Sequence, residues 1–186
     1  MRNAGFSFGS GRAGDINLSA EQLRVLNGGQ FSSPAFGIGN GGNIAINSNN
    51  AVEVIGSIPG IFQSSAIGAA SLNQGNGGSL IINTSRLVVR DGGVISPSGL
   101  ASGNAGSLTI NATDSVEVTG RAVGGGLPSR IESAAIIESE PVRQLLGLPD
   151  APSGNSGSVT INTPRLTSPT VPESAPPTKA RAPQAT

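Results

Sequence analysis

The chain has 186 residues, with 28 Gly, 13 Pro, 5 Phe and no Cys, His, Trp or Tyr. Eleven basic residues balance eleven acidic ones, and this zero net charge argues against nucleic acid or an anionic membrane surface as a charge-driven partner. Lacking His and Cys, the chain has no Ser-His-Asp triad, thiol nucleophile, disulfide, or His- or thiolate-based metal site.

The first nine residues, Met1 to Gly9, hold no continuous apolar run, so they are not expected to act as a signal peptide. No later segment approaches the roughly 20 apolar residues of a membrane span. From Gly11 a pattern begins: a Gly-rich turn, an apolar-x-apolar strand, then Asn. Gly11-Arg12-Ala13-Gly14-Asp15-Ile16-Asn17-Leu18-Ser19 is a degenerate first copy. Clear copies follow at Gly39-Asn40-Gly41-Gly42-Asn43-Ile44-Ala45-Ile46-Asn47 and Gly75-Asn76-Gly77-Gly78-Ser79-Leu80-Ile81-Ile82-Asn83. Two more are Gly103-Asn104-Ala105-Gly106-Ser107-Leu108-Thr109-Ile110-Asn111 and Gly154-Asn155-Ser156-Gly157-Ser158-Val159-Thr160-Ile161-Asn162. The starts are spaced 28, 36, 28 and 51 residues apart, which makes 28 the basic unit and the longer intervals units with insertions.

Each unit carries three strand signals. The first holds Ile16/Leu18, Ile44/Ile46, Leu80/Ile82, Leu108/Ile110 and Val159/Ile161. The second holds Leu23/Val25, Val52/Val54, Leu87/Val89 and Val116/Val118, with Leu166 as a remnant. The third holds Phe31/Ser33, Phe62/Ser64, Ile95/Pro97 and Ile131/Ser133. Every pair is spaced i, i+2, the period of a strand with one buried face. Three strands per unit predict an all-β chain: a single-stranded parallel β-helix over residues 1–167, each unit stacking on the last. One unit buries too little to fold alone, so stability must come from cooperative stacking.

Between strands, Asn47, Asn83, Asn111 and Asn162 recur at one position, with Ser19 in the first copy. They are expected to form a structural ladder of hydrogen bonds along the stack. The glycine pairs of the turns, such as Gly39/Gly42 and Gly75/Gly78, are expected at corners needing positive φ. Outward positions of the second strand run Arg24, Glu53, Val88, Glu117 and Thr167, with Arg24 expected beside Glu53.

Insertions are expected at about 57–73 and 122–153. The second contains Pro141-Val142-Arg143-Gln144-Leu145-Leu146-Gly147, which predicts a short helix. Arg130, Glu132, Glu138, Glu140 and Arg143 make this region the expected contact loop, because insertions in a repeat protein carry its specific contacts. Residues 168–186 hold five prolines and few apolar side chains, a composition that predicts a disordered or extended tail.

The G-N-x-G-[SN]-[LIV]-x-I-N copies, followed by LxV or VEV and then G-G-x-I-x-S, resemble the repeats of filamentous-haemagglutinin-type bacterial exoproteins. The resemblance is to the large cyanobacterial kind, some labelled S-layer family proteins, and it covers about Gly11 to Leu166. It implies a right-handed parallel β-helix, two-partner secretion through an outer-membrane β-barrel transporter, and adhesion at the cell surface. Family members carry an export signal and a secretion domain before the repeats. Neither has a counterpart here, so a C-terminal fragment or truncated product is expected.

For catalysis the best acidic group is Glu132, Glu138, Glu140 and Asp150, with Arg130, Arg143 and Lys179 as cations. Most of these fall in one inserted loop, where a solvated surface is the expectation. Calcium is not expected either: Asp15 gives way in later copies to Asn43, Ser79, Ser107 and Ser158, and a Ca²⁺ site needs repeated carboxylates. No cofactor or metal is expected. The leading reading is a non-enzymatic secreted or surface stalk that contacts glycans or cell-surface proteins and self-associates through exposed end strands. A polysaccharide-binding or -cleaving protein and a remnant without independent function are the alternatives.

Overall fold

A computed structural model describes residues 3–4, 10–60, 63–72, 74–99, 101–124, 126–135, 140, 143–144, 150–151 and 153–168. The protein is all-β. Its long strands are β2 (Ile16–Leu26), β4 (Ile44–Ile55), β8 (Leu80–Arg90) and β10 (Leu108–Thr119). Its short ones are β1 (Asn3–Ala4), β3 (Gln30–Ser32), β5 (Ser57–Ile58), β6 (Gln63–Ser64), β7 (Ala66–Gly68), β9 (Val94–Ile95), β11 (Arg130–Ile131), β12 (Val159–Asn162) and β13 (Leu166–Thr167). One sheet runs β2-β4-β8-β10-β12, with β13 also on β10; the second runs β1-β3-β7-β9-β11. Every pairing in both is parallel, while β5 and β6 form a separate antiparallel pair.

The pairing register follows the repeat. Ile16, Ile44, Leu80, Leu108 and Val159 are successive partners, as are Leu23, Val52, Leu87, Val116 and Leu166. In the second sheet Phe31, Ile67, Ile95 and Ile131 align in the same way. These rows face one another in a single core, where Ile46, Ile67, Ile82, Ile95 and Ile110 are fully buried. Along Ile44–Asn47 and Leu80–Asn83 buried side chains alternate with exposed or half-buried ones, so this part of the large parallel sheet keeps one face in the core and one at the surface.

Three details depart from the sequence-based expectation. In the first four units the first and second strands are continuous, as one strand of 11 or 12 residues, while in the last they stay separate as β12 and β13. The junction between them survives as a register irregularity, at Ala20/Gln22, Asn47/Ala51 and Ala112/Ser115. Two buried hydroxyls serve that bend: Ser48 Oγ lies 2.9 Å from Glu21 O and 3.0 Å from Ala51 O, and Thr84 Oγ1 lies 3.2 Å from Arg86 O. Such local bonds satisfy carbonyls that the irregularity removes from the ladder.

Second, Phe62/Ser64 is not the third strand of its unit. Ser64 belongs to the β5–β6 pair, Phe62 lies outside the described residues, and Ile67 aligns with Phe31 and Ile95. β5 and β6 pair antiparallel first, and the strand follows several positions later.

Third, the motif glycines do not have positive φ. Positive φ falls on Asn27, Gly28, Gly56, Gly60, Asp91, Gly92, Gly120 and Gly124. The motif glycines instead answer a packing demand. A Cβ on Gly39, Gly75, Gly103 or Gly154 would overlap the carbonyl of the motif glycine one unit earlier, and the same holds for Gly42, Gly78, Gly106 and Gly157. Successive turns lie backbone on backbone. Val88, expected to face outward, is also buried at 5% exposure, in register between Glu53 and Glu117.

The positive-φ positions among the described residues reveal a longer period. Asn27 with Asp91, Gly28 with Gly92, Gly56 with Gly120, and Gly60 with Gly124 are each 64 residues apart. Units alternate: one closes with a tight Asn-Gly or Asp-Gly turn, the next with an eight-residue excursion, 57–64 or 121–128. Each excursion folds over the preceding tight turn. Ile58 occupies the space where Gly28 would carry a Cβ, and Ala122 does the same at Gly92.

Candidate interaction surface

The outer face of the large sheet carries two columns of amides. Asn83 Nδ2 donates to Asn47 Oδ1 at 2.8 Å, Asn111 Nδ2 to Asn83 Oδ1 at 2.7 Å, and Asn162 Nδ2 to Asn111 Oδ1 at 2.8 Å. A second column, not anticipated from the sequence, runs through the turns. Asn76 N donates to Asn40 Oδ1 at 2.8 Å, Asn104 N to Asn76 Oδ1 at 2.9 Å, and Asn155 N to Asn104 Oδ1 at 2.9 Å. The Asn of the G-N-x-G motif was the available signal, but its role rests on contact between turns 28 to 51 residues apart. The first column ties neighbouring strands together and the second ties successive turns together.

Of the expected contact loop, the structure joins Arg130 and Glu132, with Nε and Oε1 2.7 Å apart and both side chains about 30% exposed. Arg130 Nη1 is buried without a hydrogen-bond partner. Glu140 Oε1 accepts from Gln144 Nε2 at 3.1 Å, and Arg143 Nη1 donates to Asp150 O at 2.7 Å. Glu138 and Lys179 lie outside the described residues, as does all of the expected 141–147 helix except Arg143 and Gln144. Among the described residues, no group of three His, Cys, Asp or Glu side chains is placed to hold a metal ion. Arg24 Nε donates to Glu53 Oε2 at 2.7 Å, and Arg86 stands 4.0 Å from the other carboxylate oxygen.

Across the outer face of β3, β7 and β9 runs a groove of about 600 Å³. Ala66, Gly68, Val94 and Ser96 form part of its lining, together with Phe36 and Gln63, and no charged residue does. Gln30 Nε2 donates to Ser64 O at 2.7 Å and Gln63 Nε2 to Gly28 O at 2.8 Å, which fixes the excursion 57–64 beside the groove. Sixty-four residues later, Arg130 and Glu132 stand where Ala66 and Gly68 stand here, so the ion pair fills the equivalent place.

The second excursion carries exposed apolar groups, Val123 at 74% and Leu127 at 63%; Phe36, in the groove lining, and Ile38 are exposed as well. This surface is suited to dry, neutral contact rather than to charge-steered binding. Comparison with protein-family models, with curated proteins and with solved structures finds no match for this chain.

Proposed function

We propose that the chain winds as a right-handed parallel β-helix and works without catalysis, as a secreted or cell-surface rod of the filamentous-haemagglutinin-like kind. The observation that carries this reading is the alternation of the two parallel sheets along the chain. β2, β4, β8 and β10 belong to one sheet, β3, β7, β9 and β11 to the other, and the first four units visit both in order. A rod of this kind presents its side, and the excursions 57–64 and 121–128 are the contact points. By its resemblance, a longer parent would cross the outer membrane through a β-barrel transporter.

The groove beside Phe36 favours a second reading, binding of a neutral glycan. Its amides and hydroxyls suit sugar hydroxyls, and its aromatic ring suits a sugar face.

Beads coated with the chain test both readings against glycan-coated and cell-derived surfaces. Contact through the excursion 121–128 is expected to be lost in Val123→Ser/Leu127→Ser with unchanged circular dichroism. Glycan contact is expected to be lost in Phe36→Ser. Release of unsaturated uronates from a polyuronate would overturn the non-catalytic reading.

A further inference from the structure

The two ends of the strand order are offset from one another. At the early end the second sheet extends one strand ahead, because β1 lies beyond β3. At the late end the first sheet extends one strand ahead, because β12 and β13 lie beyond β10 while, among the described residues, the second sheet has no strand beyond β11. A hollow of about 320 Å³ opens there, lined by Val118, Ile131, Ile161 and Leu166 and, on its polar side, by Arg130. Most aliphatic residues of the end strands are incompletely covered: Val159 is 41% and Leu166 56% exposed, and Ile16, Leu18 and Leu23 are only partly buried, while Val25 is buried. Their counterparts one strand inward, Leu108, Ile110, Ile44 and Ile46, are at 1% or less.

We propose that these ends join head to tail, with a second copy of this chain as the occupant. This inference rests on the winding reading given above. β2 of the second copy adds in parallel to β12 and β13, continuing the row Ile16, Ile44, Leu80, Leu108, Val159 with another Ile16. Its β1 then lies over β11, in the place the second sheet leaves open above the hollow. The offset at one end fills the offset at the other.

The hydrogen-bond series continue through the same register. Ile16, Ile44, Leu80 and Leu108 N–H donate to Asn43, Ser79, Ser107 and Ser158 O, so the next donor is Val159 N–H and the next acceptor is the second copy's Asp15 O. In the turn column the next acceptor is Asn155 Oδ1, facing the second copy's Arg12 N–H. In the outer column it is Asn162 Oδ1, facing Ser19 Oγ, a hydroxyl able to donate. A contact that joins unlike surfaces by translation along an axis does not close on itself and yields filaments.

The absence of cysteine allows a direct test on the full chain. Asn17→Cys and Thr160→Cys are made in separate proteins, mixed and mildly oxidised; both sites are exposed and would pair directly across the junction. A mixed disulfide is expected at roughly tenfold or more the yield of Asn17→Cys with Thr109→Cys, because a bridge needs Cα atoms within about 7 Å. Sedimentation is expected to show mass rising with concentration in the unmodified chain and a monomer in Val159→Lys. A single monomeric species at every concentration would overturn the junction, and would fit residues 169–186 covering the hollow instead. Thr160→Cys bridging only to itself would overturn the head-to-tail direction. An intrachain bridge in Ala45→Cys/Ile81→Cys reads the register separately, so the junction can fail while the winding stands.

Discussion

Gly75 lies over Gly39 with no room for a side chain between them: a Cβ on Gly75 would overlap Gly39 O. The obstacle is backbone, which cannot swing aside as a flexible side chain would. Gly75→Ala is therefore expected to destabilise by about 3 kcal/mol. Gly14 has open space around its Cβ position, so Gly14→Ala is expected to change stability by less than about 1 kcal/mol. Urea unfolding of the two variants makes the comparison.

Asn83 both donates to Asn47 and accepts from Asn111, whereas Asn162 makes only the last bond of the column. Removing the amide in Asn83→Ala is expected to cost about 1–2 kcal/mol, and in Asn162→Ala about half as much. Asn83→Asp keeps an acceptor for Asn111 but sets a carboxylate oxygen against the acceptor Asn47 Oδ1, so its cost is expected to equal or exceed that of Asn83→Ala. Denaturant midpoints for the three variants would show this order.

Ser65 and Ser129 play one role in successive 64-residue periods. Ser65 Oγ accepts from Gly28 N at 3.0 Å and donates to Ile55 O at 2.7 Å; Ser129 Oγ accepts from Gly92 N at 3.0 Å and donates to Thr119 O at 2.6 Å. Both serines are buried, at 0% and 5%. Replacing either with Ala strands a buried N–H and is expected to cost about 1–3 kcal/mol. Thermal unfolding of Ser65→Ala and Ser129→Ala should give similar losses, because the geometry is repeated.

The Arg24–Glu53–Arg86 group is expected to contribute little. Both arginines are more than half exposed, and Glu53 is 14% exposed. Glu53→Gln is expected to cost at most about 1 kcal/mol, and less as salt is raised. A stability series from low to high ionic strength checks this.

The apolar pairs made the strands legible. Ile44/Ile46 and Leu80/Ile82 repeat at the period of a strand, and the spacing of their motifs carries the register. The glycines were legible as turns but not in their reason: that Gly39 and Gly75 touch is a fact about two turns 36 residues apart, which local backbone preference cannot supply. The 64-residue period was hidden because its two excursions share no residue pattern. Ile58-Pro59-Gly60 and Ala122-Val123-Gly124 have in common mainly a positive-φ glycine. Of the contact loop, Arg130 and Glu132 were recoverable by their i, i+2 spacing on one face of a strand. Their relation to the groove was not, since it depends on Ala66 and Gly68 occupying the same positions one period earlier.

The central claim is that each unit lies in register on the next. Oxidation of Ala45→Cys/Ile81→Cys, read beside Ala45→Cys/Thr109→Cys, tests it most directly. Ala45 and Ile81 are adjacent partners, while Thr109 lies one strand further, about 10 Å from Ala45. An intrachain disulfide is expected in the first protein and not in the second. Equal bridging in both, or none in the first, would contradict the register on which the fold and its proposed role depend.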